Sequence, residues 1–368
     1  MPMPEPMIPP STADKQDTAP SAGEAPLLAQ LRELDAQGRH EEAVETLRRQ
    51  ARLGQIAAMT ELGLRLLVGR DAPQQPQDAI TLLQQASAGG DADAAAQMAT
   101  LAAAGAWMPQ DWPAALDYLQ QAAERGSARA RGQLVVLGGD RELAGQAANG
   151  LQQDEQCWRR LRQSIDIEVW RLPPPRRPLC EAPRIRFAEA FTTPEVCDWL
   201  VDRARGKLKP ALMFDGNRPA FSASRNNSDF CFDIVEADLV LTLVRERASA
   251  LVKLPLFAME PPQIFHYSVG QEIKPHYDHV RAEGRYEAER IATLLLYLND
   301  DYEGGELDFP KVGLRTRGRK GDALYFANVD PSGAPDRQSL HAALPVTKGE
   351  KWIFSQWIQD RTFGSSGQ

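Results

Sequence analysis

Cysteine is scarce in this chain. Its 368 residues hold four, Cys157, Cys180, Cys197 and Cys231, and no two form a CxxC pair. That argues against a disulfide framework and predicts reduced, partly buried thiols in a reducing compartment. No run approaches the roughly 18 apolar residues of a membrane helix, so no span is expected. The opening stretch MPMPEPMIPPSTADKQ lacks a basic region and an apolar core, so a secretory signal is not expected either. Lysine and arginine are nowhere concentrated among aromatics and the net charge is -8, which disfavours a nucleic-acid partner and, less strongly, an acidic peptide. Together these absences predict a cytoplasmic protein with neither nucleic-acid nor membrane partners.

The length allows two or three domains, each with its own core. Residues 1–25 are rich in Pro, Ser, Ala and Met without hydrophobic periodicity, and are expected to form a disordered tail. A repeat follows. Gly54, Gly90 and Gly126 stand 36 residues apart, as do Ala43, Ala79 and Ala115, and Leu47, Leu83 and Leu119. Each unit reads as a helix, a Pro/Gln/Asp loop and a second helix closed by glycine, where a left-handed residue ends the helix. A period of this length with two helices per unit predicts an α-solenoid. Residues 141–165 read as helical and as a cap on it. The helical region is thus placed at 26–165, a proline-rich linker at 166–182 ("RLPPPRRP" at its heart), a second domain at 183–361 and a frayed tail at 362–368.

The second domain changes pattern. "TTPEVCDWLVDRAR" predicts a helix capped by Thr193, with Pro194 and Glu195 in its first turn. Beyond about 255, short aromatic and β-branched runs dominate: "PQIFHYSV", "ATLLLYLN", "GELDFP", "DALYFAN" and "KWIFSQWI". Many short strands without intervening helices predict a sandwich or barrel.

The chemistry sits on those strands. His276 and Asp278 are two apart, so an extended strand would point both to one face and turn Tyr277 and His279 away. His341 comes later in the chain. Two imidazoles and a carboxylate can occupy one face of an octahedral metal, the pattern of non-haem Fe(II) with positions left open for O2 and a cosubstrate. Lys351 shares a strand face with Ile353, Ser355 and Trp357 by alternation. A lysine on an apolar inner face needs an anionic partner, which a bound dicarboxylate would supply. Tyr267, if it faces inward with Phe265, can donate to the same carboxylate. His266 then faces the other way and reads as structural. Gly304 and Gly305 read as a tight turn entering a strand.

Two resemblances extend this reading. "GGDADAAAQMATLAAAGAWMPQDWPAALDYLQQAAERG" resembles Sel-like repeats, relatives of the tetratricopeptide family, which implies a protein-interaction module. "YSVGQEIKPHYDH", "ATLLLYLNDDYEGGELDFP" and "KGDALYFANVDPSGAPDRQSLHAALPVTKGEKWIFSQWI" resemble the prolyl 4-hydroxylase branch of the Fe(II)/2-oxoglutarate dioxygenases. That resemblance implies a double-stranded β-helix, or jelly roll, with flanking helices. It implies iron ligation by His276, Asp278 and His341, with no catalytic side chain beyond the ligands, and a 2-oxoglutarate pocket built by Lys351, Tyr267 and Thr293. Trp357 falls at a position beside the metal site and Arg225 on the substrate side. The implied cofactors are Fe(II), 2-oxoglutarate and O2, with L-ascorbic acid as an optional addition. The implied activity is hydroxylation of prolyl residues in a peptide or protein, with the repeats presenting that partner. The alternatives are the same oxidation on another residue or a small molecule, and a non-catalytic adaptor with a vestigial jelly roll. Substrate choice is expected to rest on "DPSGAPDRQS" or the 279–290 segment.

Overall fold

The computed structural model describes residues 24–211, 213–215, 218–220, 224–279 and 288–360. The expected tails therefore lie outside it, except that Glu24 already begins a helix.

Helices α1 (Glu24–Ala36), α2 (His40–Arg52), α3 (Ile56–Val68), α4 (Pro76–Ala88), α5 (Ala92–Ala104), α6 (Trp112–Glu124) and α7 (Ala128–Leu137) form the repeat region. The 36-residue step is kept: α2, α4 and α6 begin at 40, 76 and 112, and α3, α5 and α7 at 56, 92 and 128. The repeated Ala43, Ala79, Ala115, Leu47, Leu83 and Leu119 are all fully buried. Small residues let paired helices approach, and each buried leucine contributes about 1.5–3 kcal/mol of transfer free energy. Gly54, Gly90 and Gly126 have φ of +83°, +100° and +99°, a conformation that other residues resist. Asp91, Asp111 and Ser127 cap α5, α6 and α7 through their side chains.

Two local expectations need correction. The single capping helix at 141–165 is two, α8 (Arg141–Ala148) and α9 (Glu155–Gln163), split where Gly150 takes φ +73°. The linker at 166–182 is not bare connector. Asp166 caps a short α10 (Ile167–Arg171), and strand Arg177–Cys180 pairs with Ile185–Ala188. Proline ends the helix as expected, but the chain past it finds backbone partners at a sheet edge.

Beyond this point the chain forms α11 (Pro194–Ala204), capped by Thr193 as its sequence predicts, α12 (Leu239–Val252) and two facing antiparallel sheets. The larger sheet runs in the order 177–180, 185–188, 323–327, 290–297, 351–359, 263–267, 228–231, 209–210. The smaller runs 314–316, 307–309, 341–343, 273–276. Their inner faces share one cluster, with Phe265, Tyr267, Tyr297, Phe326, Ile353 and Trp357 from the first and Ile273, Leu307, Phe309 and Ala343 from the second. This is the expected jelly roll. The outer face of the larger sheet, including Trp352, Phe354 and Ile358, packs with α11, α12 and the last repeats in another continuous core. Strand Lys351–Gln359 is therefore buried along its whole length, which hides the polar–apolar alternation of a one-sided strand.

Candidate metal and cosubstrate site

The smaller sheet brings the two distant histidines side by side. His341 pairs across the strands with His276, and their rings stand 4.3 Å apart. Strand Ile273–His276 ends at His276, so Asp278 lies just past it and not on a continued strand. The chain nevertheless returns its carboxylate to the imidazoles: His276 Nε2 is 3.5 Å from Oδ1 and His341 Nε2 is 3.6 Å from Oδ2. Cis ligands of an octahedral ion at about 2.1 Å stand about 3 Å apart, so only a small contraction is needed. His279 takes no part; its Nδ1 lies 3.4 Å from the Arg290 carbonyl oxygen.

Both imidazoles are oriented in the same way. His276 Nδ1 sits 2.9 Å from the Lys274 carbonyl oxygen, and His341 Nδ1 sits 3.0 Å from that of Ser339. A hydrogen donated from each Nδ1 leaves both Nε2 lone pairs facing Asp278, the tautomer a metal requires. Burial pushes the His341 imidazole down to about 4, so it is neutral near pH 7. Burial alone would raise the Asp278 carboxyl, but His341, His276 and Thr293 hold it well below the usual carboxylate range. Burial opposes protonation of His276, but its bond to Asp278 prevails and shifts it upward. Asp35, His40 and Asp71 form another His/Asp group. There Asp35 is already gripped by Arg65 at 3.0 and 2.6 Å.

The larger sheet supplies the opposite wall. Lys351 and Tyr267 are direct cross-strand partners, and both are buried. Lys351 Nζ donates to the Gly305 carbonyl at 2.7 Å and lies 4.8 Å from the Tyr267 ring centre. It has no ion-pair partner among the described residues. Burial pushes its ammonium down to about 7. Gly304 and Gly305, at φ +71° and +67°, make the turn that aims this carbonyl. Burial also raises the Tyr267 phenol, which stays a hydrogen donor. His266 packs at 4.4 Å on Trp352, on the sheet's other face.

Thr293 departs from the role expected of it. Its hydroxyl donates to Asp278 Oδ2 at 2.7 Å, while Asn328 Nδ2 donates to its Oγ1 at 3.1 Å. With its one hydrogen spent on the carboxylate, Thr293 orients a candidate ligand instead of offering a donor to the cosubstrate. Asn328 was not anticipated, although alternation from Leu324 and Phe326 carries it to the inner face. Thr293→Val should weaken Fe(II) or Co(II) binding by about 10-fold while leaving the fold intact. Metal titration followed by absorbance, beside a circular dichroism spectrum, tests this; unchanged affinity would refute the orienting role.

Trp357 lies next to this pair, as the cross-strand partner of Thr293. The Arg290 guanidinium covers its indole at 3.8 Å and is held by Glu260 at 2.6 and 2.8 Å. Nothing in the sequence pattern joins those three residues. Arg225 bonds Asp229 at 2.7 Å and Asn227 at 3.1 Å, stacks on Phe265 at 4.7 Å and forms a bridge with Ile273. It therefore stands at the rim beside the strand of His276.

Comparison with known proteins agrees with this geometry. Residues 262–359 match the 2OG-Fe(II) oxygenase superfamily. Prolyl 4-hydroxylase 13 of Arabidopsis thaliana is 32% identical over 199 residues, which take in 49% of this chain and 73% of that protein. The chain belongs to the prolyl 4-hydroxylase branch of the 2OG-Fe(II) oxygenases. Among solved structures, this oxygenase is similar to the viral collagen prolyl hydroxylase of Paramecium bursaria Chlorella virus-1 in complex with 2-oxoglutarate. That likeness has 28% identity and a TM-score of 0.40, over 49% of this chain and 98% of that one. It is also similar to a Sel1 repeat protein from Oxalobacter formigenes, with 22% identity and a TM-score of 0.29, over 40% of this chain and 60% of that one. Membership makes Fe(II), 2-oxoglutarate and O2 the cofactors of this oxygenase. The residues fit them: three donor groups lie within 4.8 Å of one another, and an unpaired buried cation faces the same interior. No helix among the described residues is long and apolar enough to cross a membrane.

Proposed function

We propose that this oxygenase hydroxylates prolyl residues in a peptide or protein, converting 2-oxoglutarate to succinate and CO2. The observation that carries the reading is the opposition of two walls. A carboxylate between two oriented imidazoles lies on one, and an unpaired, desolvated lysine lies on the other. In this reading His276, Asp278 and His341 hold the iron. Lys351 and Tyr267 hold the distal carboxylate of the cosubstrate, which completes the ion pair that Lys351 lacks. Thr293 and Asn328 fix Asp278, Trp357 closes the inner wall, and Arg225 meets the substrate at the rim. When bound, iron and 2-oxoglutarate supply the oxidising power, one atom of O2 passing to succinate and the other to the substrate hydroxyl. The protein's part is orientation, open coordination and exclusion of water.

Of the two segments expected to set substrate choice, 280–287 lies outside the described residues. The other is self-braced: Asp330 accepts from the Ser332 and Ala334 amides at 2.8 and 3.1 Å, and the Tyr277 hydroxyl donates to the Arg337 carbonyl at 3.2 Å. In this reading the 330–339 loop, tied to Tyr277 between the proposed ligands His276 and Asp278, is where a bound peptide would meet the site. The adaptor alternative is weakened because all three donors and Lys351 are retained. Free thiols at Cys157, Cys180, Cys197 and Cys231 suit a reducing compartment, and we assign the protein to the cytoplasm on that ground.

Succinate formation from 2-oxoglutarate with Fe(II), measured with and without a pool of proline-containing peptides, tests the proposal. Ascorbate is included in one arm. Peptide-stimulated succinate and a peptide gaining one oxygen atom on proline are expected. Oxygen found only on another residue or on a small molecule would move the reading to that alternative. No turnover and no 2-oxoglutarate binding would favour the adaptor.

A further inference from the structure

The inner surface of a helical repeat is the usual place to look for a captured peptide. Here the face formed by α5 and α7 is already occupied, by a segment of the same chain. Residues 233–238 lead from strand Ser228–Cys231 into α12, and they lie across α5 and α7. Gln97 Nε2 donates to the Ile234 carbonyl at 3.0 Å. Thr100 Oγ1 donates to the Ala237 carbonyl at 3.4 Å. Arg129 donates to the Glu236 carbonyl at 2.9 Å and to that of Ala237. Gln133 Oε1 accepts from the Leu239 amide at 2.8 Å. At the rim, Arg70 pairs with Asp233 at 2.9 Å. Residues 234–236 form a turn, closed by the Ala237 amide on the Asp233 carbonyl at 2.9 Å, so side chains from consecutive repeats hold the carbonyls of a folded segment.

Asp238 locks the junction. It is buried, caps α12 through the Leu241 amide at 2.9 Å, and accepts from Trp199 Nε1 of α11 at 3.0 Å. Arg203 and Arg129 stand 3.5 and 3.8 Å from the same carboxylate. The Trp199 ring lies against α7 where Gly132 has no side chain; a Cβ there would come within 2.5 Å of the ring. The segment leads back to the site. Strand Ser228–Cys231 pairs with Gln263–Tyr267, and its Asp229 holds Arg225.

We infer that the repeats act as an intramolecular clamp: side chains of α5 and α7 bind residues 233–238 and thereby position the strand that holds Arg225 at the mouth of the site. The part of α5 and α7 that holds this segment is not free to recruit a peptide partner. The inference does not depend on which substrate is hydroxylated.

The test uses the full chain. Gly132→Ala adds one methyl to a helix interior, where alanine is ordinarily preferred over glycine. In this place it should lower the Tm by about 5 °C by wedging Trp199 away. It should also speed amide exchange in residues 225–238 by about 10-fold, with no change in strand 351–359. Gly145→Ala on α8, with open space around it, is the control and should not lower the Tm. Arg129→Gln is the second variant, should Gly132→Ala fail to fold, and should produce the same local loosening. A general loss of stability without faster exchange at 225–238 would overturn the positioning role. Separate melting of the repeats and the jelly roll in the wild-type chain, or unchanged exchange in both variants, would overturn the clamp.

Discussion

Replacing His341 by alanine should abolish Fe(II)-dependent turnover and lower metal affinity by more than about 100-fold, beyond the loss typical of an outer hydrogen-bond partner. His341 is 4% exposed and fixed from behind by the Ser339 carbonyl. Phe326 and Phe309 flank its ring at 4.6 and 5.7 Å. The variant also strips Asp278 of the imidazole that, once protonated in acid, does most to hold its carboxyl low, and the carboxyl should move up toward its ordinary range. Anaerobic Co(II) titration reads the loss of metal affinity, and a circular dichroism spectrum of the variant separates it from a folding defect. An alanine variant that binds metal as the wild type does would remove His341 from the ligand set, and with it the proposed mechanism.

The second large effect concerns Lys351. Removing one partner of a buried ion pair costs about 3–5 kcal/mol, which corresponds to a 2-oxoglutarate requirement raised by about 10²- to 10⁴-fold. Lys351→Ala should therefore leave metal binding intact and nearly eliminate cosubstrate binding. Its pH behaviour follows from burial. In the cosubstrate-free protein the ammonium titrates at about 7, against 10.5 for an ordinary lysine. Below about 7 it is charged in both the folded and unfolded chain, and the desolvation penalty is fully present. As pH rises toward the unfolded value the folded protein has already shed the proton, and that penalty fades. Lys351→Met should accordingly stabilise the cosubstrate-free protein most at acid pH. Binding a dicarboxylate restores the proton, so wild-type affinity should fall as pH rises above about 7, with proton uptake on binding. Calorimetry at about pH 8 in two buffers of different ionisation enthalpy checks this. Equal heats in both buffers would mean that Lys351 is already charged before the ligand arrives.

The legibility of this chain follows the range of the interactions involved. The repeats could be read because Ala43, Ala79 and Ala115 recur at one period and do one job, the close approach of paired helices. Lys351 could be read because alternation alone carries it inward beside Ile353 and Trp357. His276 and Asp278 do come together, although the strand that was to align them stops at His276. Thr293 was placed in the right cavity with the wrong partner, because alternation gives the face of a side chain but not the direction of its hydroxyl. The linker was misjudged because proline marks where a helix stops and says nothing of a sheet edge waiting nearby. The contact of Gly132 with Trp199 left no trace in the sequence, since a missing methyl has no periodicity and its partner lies in another domain.

The two walls of the site are built to different standards. Lys351, Tyr267 and Thr293 stand on three adjoining strands in the middle of the eight-stranded sheet, sealed behind by helices. The two histidines belong to strands of three and four residues, one of them at the margin of the four-stranded sheet. Loss of iron should therefore be felt on one side only. The thin wall would breathe while the thick wall kept its shape, and the pocket for the keto diacid would persist as a template on which the metal side can be rebuilt.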